Sequence, residues 1–179
     1  MKNINAPESA IRNPQSAMAL VALGSNLGDS RQIILDAMAR LEKLSRRPVL
    51  KSSLWQTSPV DCPSGSPIFV NAVVALTPQA GETPESLLLK LQRIEKNLGR
   101  TPKKVLNEPR PLDLDLIAFG AETRNTPVLV LPHPRAPLRR FVLQPLSEIA
   151  PELILPGQVK TVSQLLSERP AGETVVRLA

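Results

Sequence analysis

Two aspartates, Asp113 and Asp115, stand two residues apart in the run Asp113-Leu114-Asp115-Leu116-Ile117-Ala118-Phe119, which Gly120 closes. The alternation with apolar residues predicts a β-strand, so both carboxylates share one face with their Cα atoms about 7 Å apart. Two anions so placed on an apolar strand repel each other and lose hydration. A divalent cation removes both costs. Carboxylate oxygens suit magnesium, which takes one or two of them and completes its shell with substrate phosphates. The plainer reading is a solvated strand face or aspartates paired with arginines. Cations do gather at this end of the strand, with Arg110 just before it and Arg100, Lys103 and Lys104 in the preceding segment. A solvated basic loop is the default reading of such a cluster, but its place just before the carboxylates raises the phosphate reading, because a polyphosphate needs both a metal and fixed positive charge.

Other residues could hold a flat polar ligand. Phe69 and Asn71 are two apart in an apolar run and so lie on one strand face, a ring beside an amide. For Phe69 alone core packing is the better reading, and with Asn71 beside it the two readings are even. Gln92 and Glu95 are three apart on a predicted helix and form a polar strip that ordinary surface exposure would also explain. His133, the only histidine, sits between Pro132 and Pro134 in an extended loop, a setting open to phosphate or proton handling. Arg139 and Phe141 again pair a cation with a ring. There is no G-x-x-x-x-G-K-[ST] or G-x-G-x-x-G motif, and Gly24-Ser25-Asn26-Leu27-Gly28 matches neither. One histidine and one cysteine are too few for zinc catalysis.

The elements that must position these residues follow from periodicity. Ala19 to Leu23 is a buried strand stopped by Gly24. Asp29 or Ser30 caps a helix with apolar Ile33, Ile34, Ala37, Met38, Leu41 and Leu44. A second strand is predicted near Val49 to Gln56, then a Pro-rich loop from Thr57 to Pro67, then a strand from Phe69 to Leu76. Thr83-Pro84-Glu85 starts a second helix with a capping hydroxyl, a proline at the first position and an acid in the first turn. Its buried stripe is Leu87, Leu88, Leu91, Ile94 and Leu98, and Gly99 ends it. With the Asp-Leu-Asp strand, the order strand–helix–strand–strand–helix–strand predicts an α+β, ferredoxin-like split βαβ core. Its antiparallel sheet should carry helices packed on it in one domain. The remainder, from about Leu129, reads as a covering lobe with short helices near Pro145–Ala150 and Val162–Ser167.

Composition narrows the classes. The 179 residues fit one domain with a sizeable core. Residues 1–17 are read as a flexible N-terminal tail and residues 18–179 as the functional domain. A net charge of +6 favours anionic partners, and the lone cysteine fits a reducing compartment. No apolar run nears the roughly 20 residues that cross a bilayer, and the N-terminus has no signal-peptide core. A cytoplasmic monomer without membrane or nucleic-acid partners is expected. An RNA-binding ferredoxin-like sheet would need exposed stacking aromatics, and this chain has one tryptophan, three phenylalanines and no tyrosine.

The stretches Ala22 to Gly28, Phe69 to Ala72, Gln92 to Glu95, Pro109 to Asp115 and Leu131 to Pro134, followed by Arg139 and Phe141, keep the order found in one family. Together they resemble the 6-hydroxymethyl-7,8-dihydropterin pyrophosphokinases of folate biosynthesis. The resemblance implies transfer of the β,γ-diphosphate of ATP to the pterin hydroxymethyl group, giving AMP. It implies that Asp113 and Asp115 hold two Mg2+ ions and that Phe69 and Phe141 sandwich the pterin, with Thr57 and Asn71 at its edge. Gln92, Glu95, Arg100, Arg110, His133 and Arg139 match residues around ATP, and Arg100 and Arg110 join the aspartates as catalytic residues. The chain departs from the pattern in the lid, where Leu106-Asn107-Glu108 stands for Arg-Trp-Gly and Pro102 for a second arginine. A homologue that binds pterin and ATP with impaired turnover is therefore the competing expectation.

Overall fold

The apolar run at Ala19 forms strand β1 (Ala19–Ser25), flanked in an antiparallel sheet by the two strands that carry the candidate residues. The structure is a computed structural model that describes residues 18–60, 62, 64–102, 108–170 and 174–178. The predicted tail, and Lys103, Lys104, Leu106 and Asn107 of the lid, lie outside these residues.

Helix α1 (Ser30–Leu44) begins where the Asp29 carboxylate accepts the Gln32 N–H at 3.1 Å. Strands β2 (Leu50–Lys51) and β3 (Trp55–Thr57) follow, then β4 (Phe69–Leu76). Helix α2 (Pro84–Asn97) opens with Thr83 and Ser86 capping each other's backbone, and Gly99 takes a positive φ of 93° just past its end. Strand β5 (Asp113–Phe119) carries both aspartates. A small ribbon of β6 (Arg124–Asn125) and β7 (Val130–Leu131) leads to helices α3 (Arg140–Ile149) and α4 (Val162–Ser167) and to strand β8 (Val175–Arg177). The sheet order is β5-β1-β4-β3-β8, with β2 also on β4, and every pairing is antiparallel. This is the α+β, ferredoxin-like single domain that the pattern predicts.

Period-two alternation divides the sheet into two faces. Ala19, Val21, Leu23, Val74, Leu76, Leu114 and Leu116 join Ile34, Met38 and Leu41 of α1 and Leu87 and Leu91 of α2 in one apolar core. Leu20, Ala22, Val73, Ala75, Ile117 and Ala118 meet Val142, Leu143 and Leu146 of α3 and Val162 and Leu165 of α4 on the opposite face. A register shift between Leu20 and Val21 lets Ile117 and Ala118 both join this second core. No helix among the described residues is long and apolar enough to cross a membrane.

Three expectations are corrected. The second strand splits into β2 and β3, because the Ser52 hydroxyl accepts the Val73 N–H at 2.9 Å where a ladder carbonyl would. Helix α3 starts at Arg140, five residues before the predicted start at Pro145, which lies inside it. Burial of Val142, Leu143 and Leu146 outweighs the hydrogen bond that the proline removes. The C-terminal lobe also returns a strand to the sheet, since β8 pairs with β3.

Candidate active site

On the second face, α3 and α4 cover only part of the sheet. The alternation that puts Val73 and Ala75 under α3 continues to Asn71 and Phe69. In β5 it runs back from the core to Asp115 and Asp113, and in β1 it ends at Gly24. These ends lie side by side: Asp113 is opposite Gly24, Gly24 is opposite Asn71, and Asn71 is opposite Trp55. Asp113 and Asn71 are thus two strand spacings apart, about 10 Å. Gly24 lets them converge, because a Cβ there would stand 3.1 Å from Asn71 Oδ1 and 3.9 Å from Phe69 Cδ1.

A cavity of about 220 Å³ opens over this floor, and eight of the twelve sequence-predicted residues line it: Thr57, Phe69, Asn71, Arg110, Asp113, Asp115, Arg139 and Phe141. Phe69 rises from β4, while Phe141 comes from α3 in the opposing layer. Between them, the buried Asn71 donates through Nδ2 to Thr57 Oγ1 at 2.7 Å. Arg139 stacks 5.3 Å from the Phe141 ring centroid and lies 3.9 Å from Asp115 Oδ2.

The remaining four do not line the cavity. Gln92 is exposed on α2. Glu95, expected on a polar surface strip, is buried; it accepts the Leu114 N–H at 2.7 Å and an ion pair from Arg100. Burial raises the Glu95 carboxyl above its ordinary range, although that N–H and Arg100 pull it back. Arg100 reaches on to Asp113 Oδ1 at 2.6 Å, and Arg110 takes Asp113 Oδ2 at 2.8 Å. Burial would lower the Arg100 pKa, but the Asp113 and Glu95 charges hold it above the ordinary value, so it stays cationic. His133 is tied to β5 through its own N–H to the Ile117 carbonyl at 2.9 Å. Its Nδ1 accepts the Arg135 N–H at 3.2 Å. Burial, opposed by Asp115 and reinforced by Arg139 and Arg135, lowers its pKa.

Asp115 differs from Asp113. Burial and then the neighbouring Asp113 charge raise its pKa, against the pull of His133, Arg139 and Arg110. An ionised Asp115 is thus held at some cost beside Asp113, the situation a divalent cation relieves. Among the described residues no three His, Cys, Asp or Glu side chains cluster. Two carboxylates on an open wall fit magnesium, which keeps positions for water and phosphate.

Sequence reading missed the supports. Asn26 is buried; its Oδ1 accepts the Arg110 N–H at 2.8 Å and its own N–H donates to the Arg110 carbonyl at 3.2 Å. Asn26, the first residue after β1, therefore fixes the Arg110 backbone, a contact 84 residues apart in the chain. Ser58, Val60, Cys62, Arg135 and Leu138 also line the cavity, the first four from loops and Leu138 from a single 3-10 turn, all without periodic signal. Only the proximity of Arg135 to His133 in the sequence could have flagged one of them.

A split βαβ sheet with an acidic pair, arginines and a ring-lined pocket at its uncovered end defines a phosphate-handling α+β enzyme class. Residues 20–151 match the family described as 7,8-dihydro-6-hydroxymethylpterin-pyrophosphokinase (HPPK), and the chain belongs to that family. It is 42% identical over 137 residues to the 2-amino-4-hydroxy-6-hydroxymethyldihydropteridine pyrophosphokinase of Pseudomonas aeruginosa, covering 76% of this chain and 82% of that one. It is 39% identical to the folic acid synthesis protein fol1 of Pneumocystis carinii, but spans only 18% of that protein's length. A crystal structure of Plasmodium falciparum HPPK-DHPS superposes with a TM-score of 0.67 over 84% of this chain and 44% of that one. At 14% identity that likeness speaks for the fold alone.

Proposed function

We propose that the chain transfers the β,γ-diphosphate of ATP to the hydroxymethyl group of 6-hydroxymethyl-7,8-dihydropterin, releasing AMP. The observation that carries this is one continuous cavity with two chemistries. Rings and an amide line one part of it, carboxylates and arginines line another, and Arg139 joins the two by stacking on Phe141 beside Asp115. Phe69 and Phe141 hold the faces of a flat heterocycle, and Asn71, fixed by Thr57, addresses its polar edge. Arg110 and Arg139 meet phosphate oxygens, with His133 and Gln92 flanking the nucleotide. Arg100 is held by Glu95 beside Asp113 and keeps the phosphate end positive. Glu95 accordingly serves by holding Arg100 and β5.

Asp113 and Asp115 would hold magnesium, two ions by family resemblance, and the metal would supply charge neutralisation and activation of the attacking hydroxyl. The hydroxymethyl oxygen bonds to the β-phosphorus as the bond from that phosphorus to the α-phosphate oxygen breaks. AMP leaves with the bonding electrons, and the hydroxyl proton passes to solvent. The arginines stabilise charge that builds on the transferred group, and positioning supplies the rest. We assign this activity to residues 18–179, because β8 completes the sheet beside Thr57. A coupled assay for AMP release with hydroxymethyldihydropterin and magnesium–ATP tests the proposal. AMP formed in step with pterin diphosphate supports it, and tight binding of both substrates without AMP would sink it.

A further inference from the structure

Glu148 stands in the last turn of α3, where a negative charge opposes the helix dipole. Its contacts lie off its own helix. Oε2 accepts the Ser53 N–H at 2.8 Å and the Trp55 indole N–H at 3.2 Å. Oε1 accepts the Ser53 hydroxyl at 2.6 Å and lies 3.1 Å from Arg177 Nη2 of β8. Arg177 Nε closes the ring by donating to Ser53 Oγ at 2.8 Å. One carboxylate thus joins α3 to the segment entering β3 and, through Arg177, to β8. Burial alone would raise its pKa, but the Ser53 bonds, Trp55 and Arg177 together hold it below the ordinary range.

The geometry of α3 shows what this clip does. Glu148 and Phe141 are seven residues apart, so they share a helix face about 10 Å apart along the axis. A ten-residue helix with Pro145 inside it is not stable alone. Its seat is set by tertiary contacts, of which Val142, Leu143 and Leu146 are greasy and permit sliding. Glu148 is the helix's directional contact to the sheet, while Arg140 at the other end of α3 donates to the Arg169 carbonyl at 3.4 Å. The partners of Glu148 also touch the opposite wall of the cavity, for Trp55 is the rung partner of Asn71 and begins the strand that ends at Thr57.

We propose that Glu148 is a positioning residue for the ring-binding end of the cavity, fixing the distance between Phe141 on α3 and the Asn71–Thr57 edge on the sheet. This rests on the proposed function for the identity of the ring. Trp55 is the chain's only tryptophan, so its emission reports the clip directly. The test compares wild type, Glu148→Gln and Ser53→Ala by Trp55 fluorescence, by calorimetric binding of hydroxymethyldihydropterin and of a non-hydrolysable ATP analogue, and by steady-state kinetics. Glu148→Gln should shift Trp55 emission, weaken pterin binding and raise its KM about tenfold, with ATP-analogue affinity within about twofold. Ser53→Ala, a milder change, should move the same quantities the same way by about threefold if Glu148→Gln fails to fold. A variant that melts lower yet binds pterin as wild type does would overturn the inference and leave the proposed function standing. A wild-type chain that binds no pterin would overturn both.

Discussion

The two faces of the sheet are built from the same alternation and end in opposite uses. On the first, α1 and α2 cover β1, β4 and β5, and Leu23, Ile34, Leu41, Leu87 and Leu91 are almost fully buried. On the second, α3 and α4 seal Val73, Ala75 and Ile117 but leave the ends of the same strands uncovered. There the alternating positions turn to Gly24, Asn71, Asp113 and Asp115, and the cavity opens. The candidate site is therefore a stretch of sheet face that α3 borders with Phe141 but does not cover. The closed face gives the strands their rigidity, and the open face spends it on holding polar groups at fixed separations.

Substitutions on the two faces should separate chemistry from stability, and the largest effect is expected at the open one. Asp115→Ala should lower turnover at least about a thousandfold while leaving circular dichroism and melting temperature close to wild type. Near-normal AMP release from that variant would refute the metal assignment and remove the functional contrast between the faces. On the closed face, Leu91 is fully buried, so Leu91→Ala should cost about 2–5 kcal/mol by denaturant titration. Turnover per folded molecule should change little. If Leu91→Ala instead impaired catalysis more than stability, the closed face would be part of the site.

The difference between the faces also explains what could be read from the sequence. The closed face was legible because each of its elements carries its own signal. Short apolar runs mark β1 and β4, period 3.6 marks α1 and α2, and the Thr83-Pro84 start and the Gly99 stop are local chemistry. The residue types of the open face were legible too, since Asp113, Asp115, Phe69 and Asn71 declare a shared face by spacing alone. What the spacing could not show is who meets whom. Glu95 reads as a surface acid until Leu114 and Arg100 are brought to it, and Asn26 reads as a turn residue until Arg110 folds back 84 residues to it. Helix α3 reads as starting at Pro145, a residue that suits a first helical position, whereas the burial that carries the helix back to Arg140 is tertiary. Strand β8 is three residues long, two of them exposed, and pairs only at an edge, so it carries no pattern to read.

A smaller effect tests the layer facing the open site. Phe141→Ala removes the ring that α3 contributes and should weaken pterin binding about tenfold, with a lesser effect on an ATP analogue. Equal losses for both ligands would mean that the ring does not face the heterocycle. Calorimetry with each ligand in turn makes the comparison.

The smallest expected effect lies in stability, and its sign opposes the effect on turnover. Burial and the Asp113 charge raise the pKa of Asp115, so the folded chain binds that proton more tightly than the unfolded chain does. By linkage, stability then falls as pH rises from the unfolded value through the folded one, and the whole penalty stands above the folded value. Asp115→Asn removes the titration. In chelated protein it should melt above wild type at neutral pH, and the gap should close as pH falls toward the ordinary aspartate range. Added magnesium should narrow the gap at neutral pH from the other side, because a cation on the carboxylates stabilises wild type and has less to hold in the variant. A variant less stable than wild type at neutral pH in chelator would mean that the arginines already neutralise Asp115. The open face would then carry no electrostatic strain for a metal to relieve.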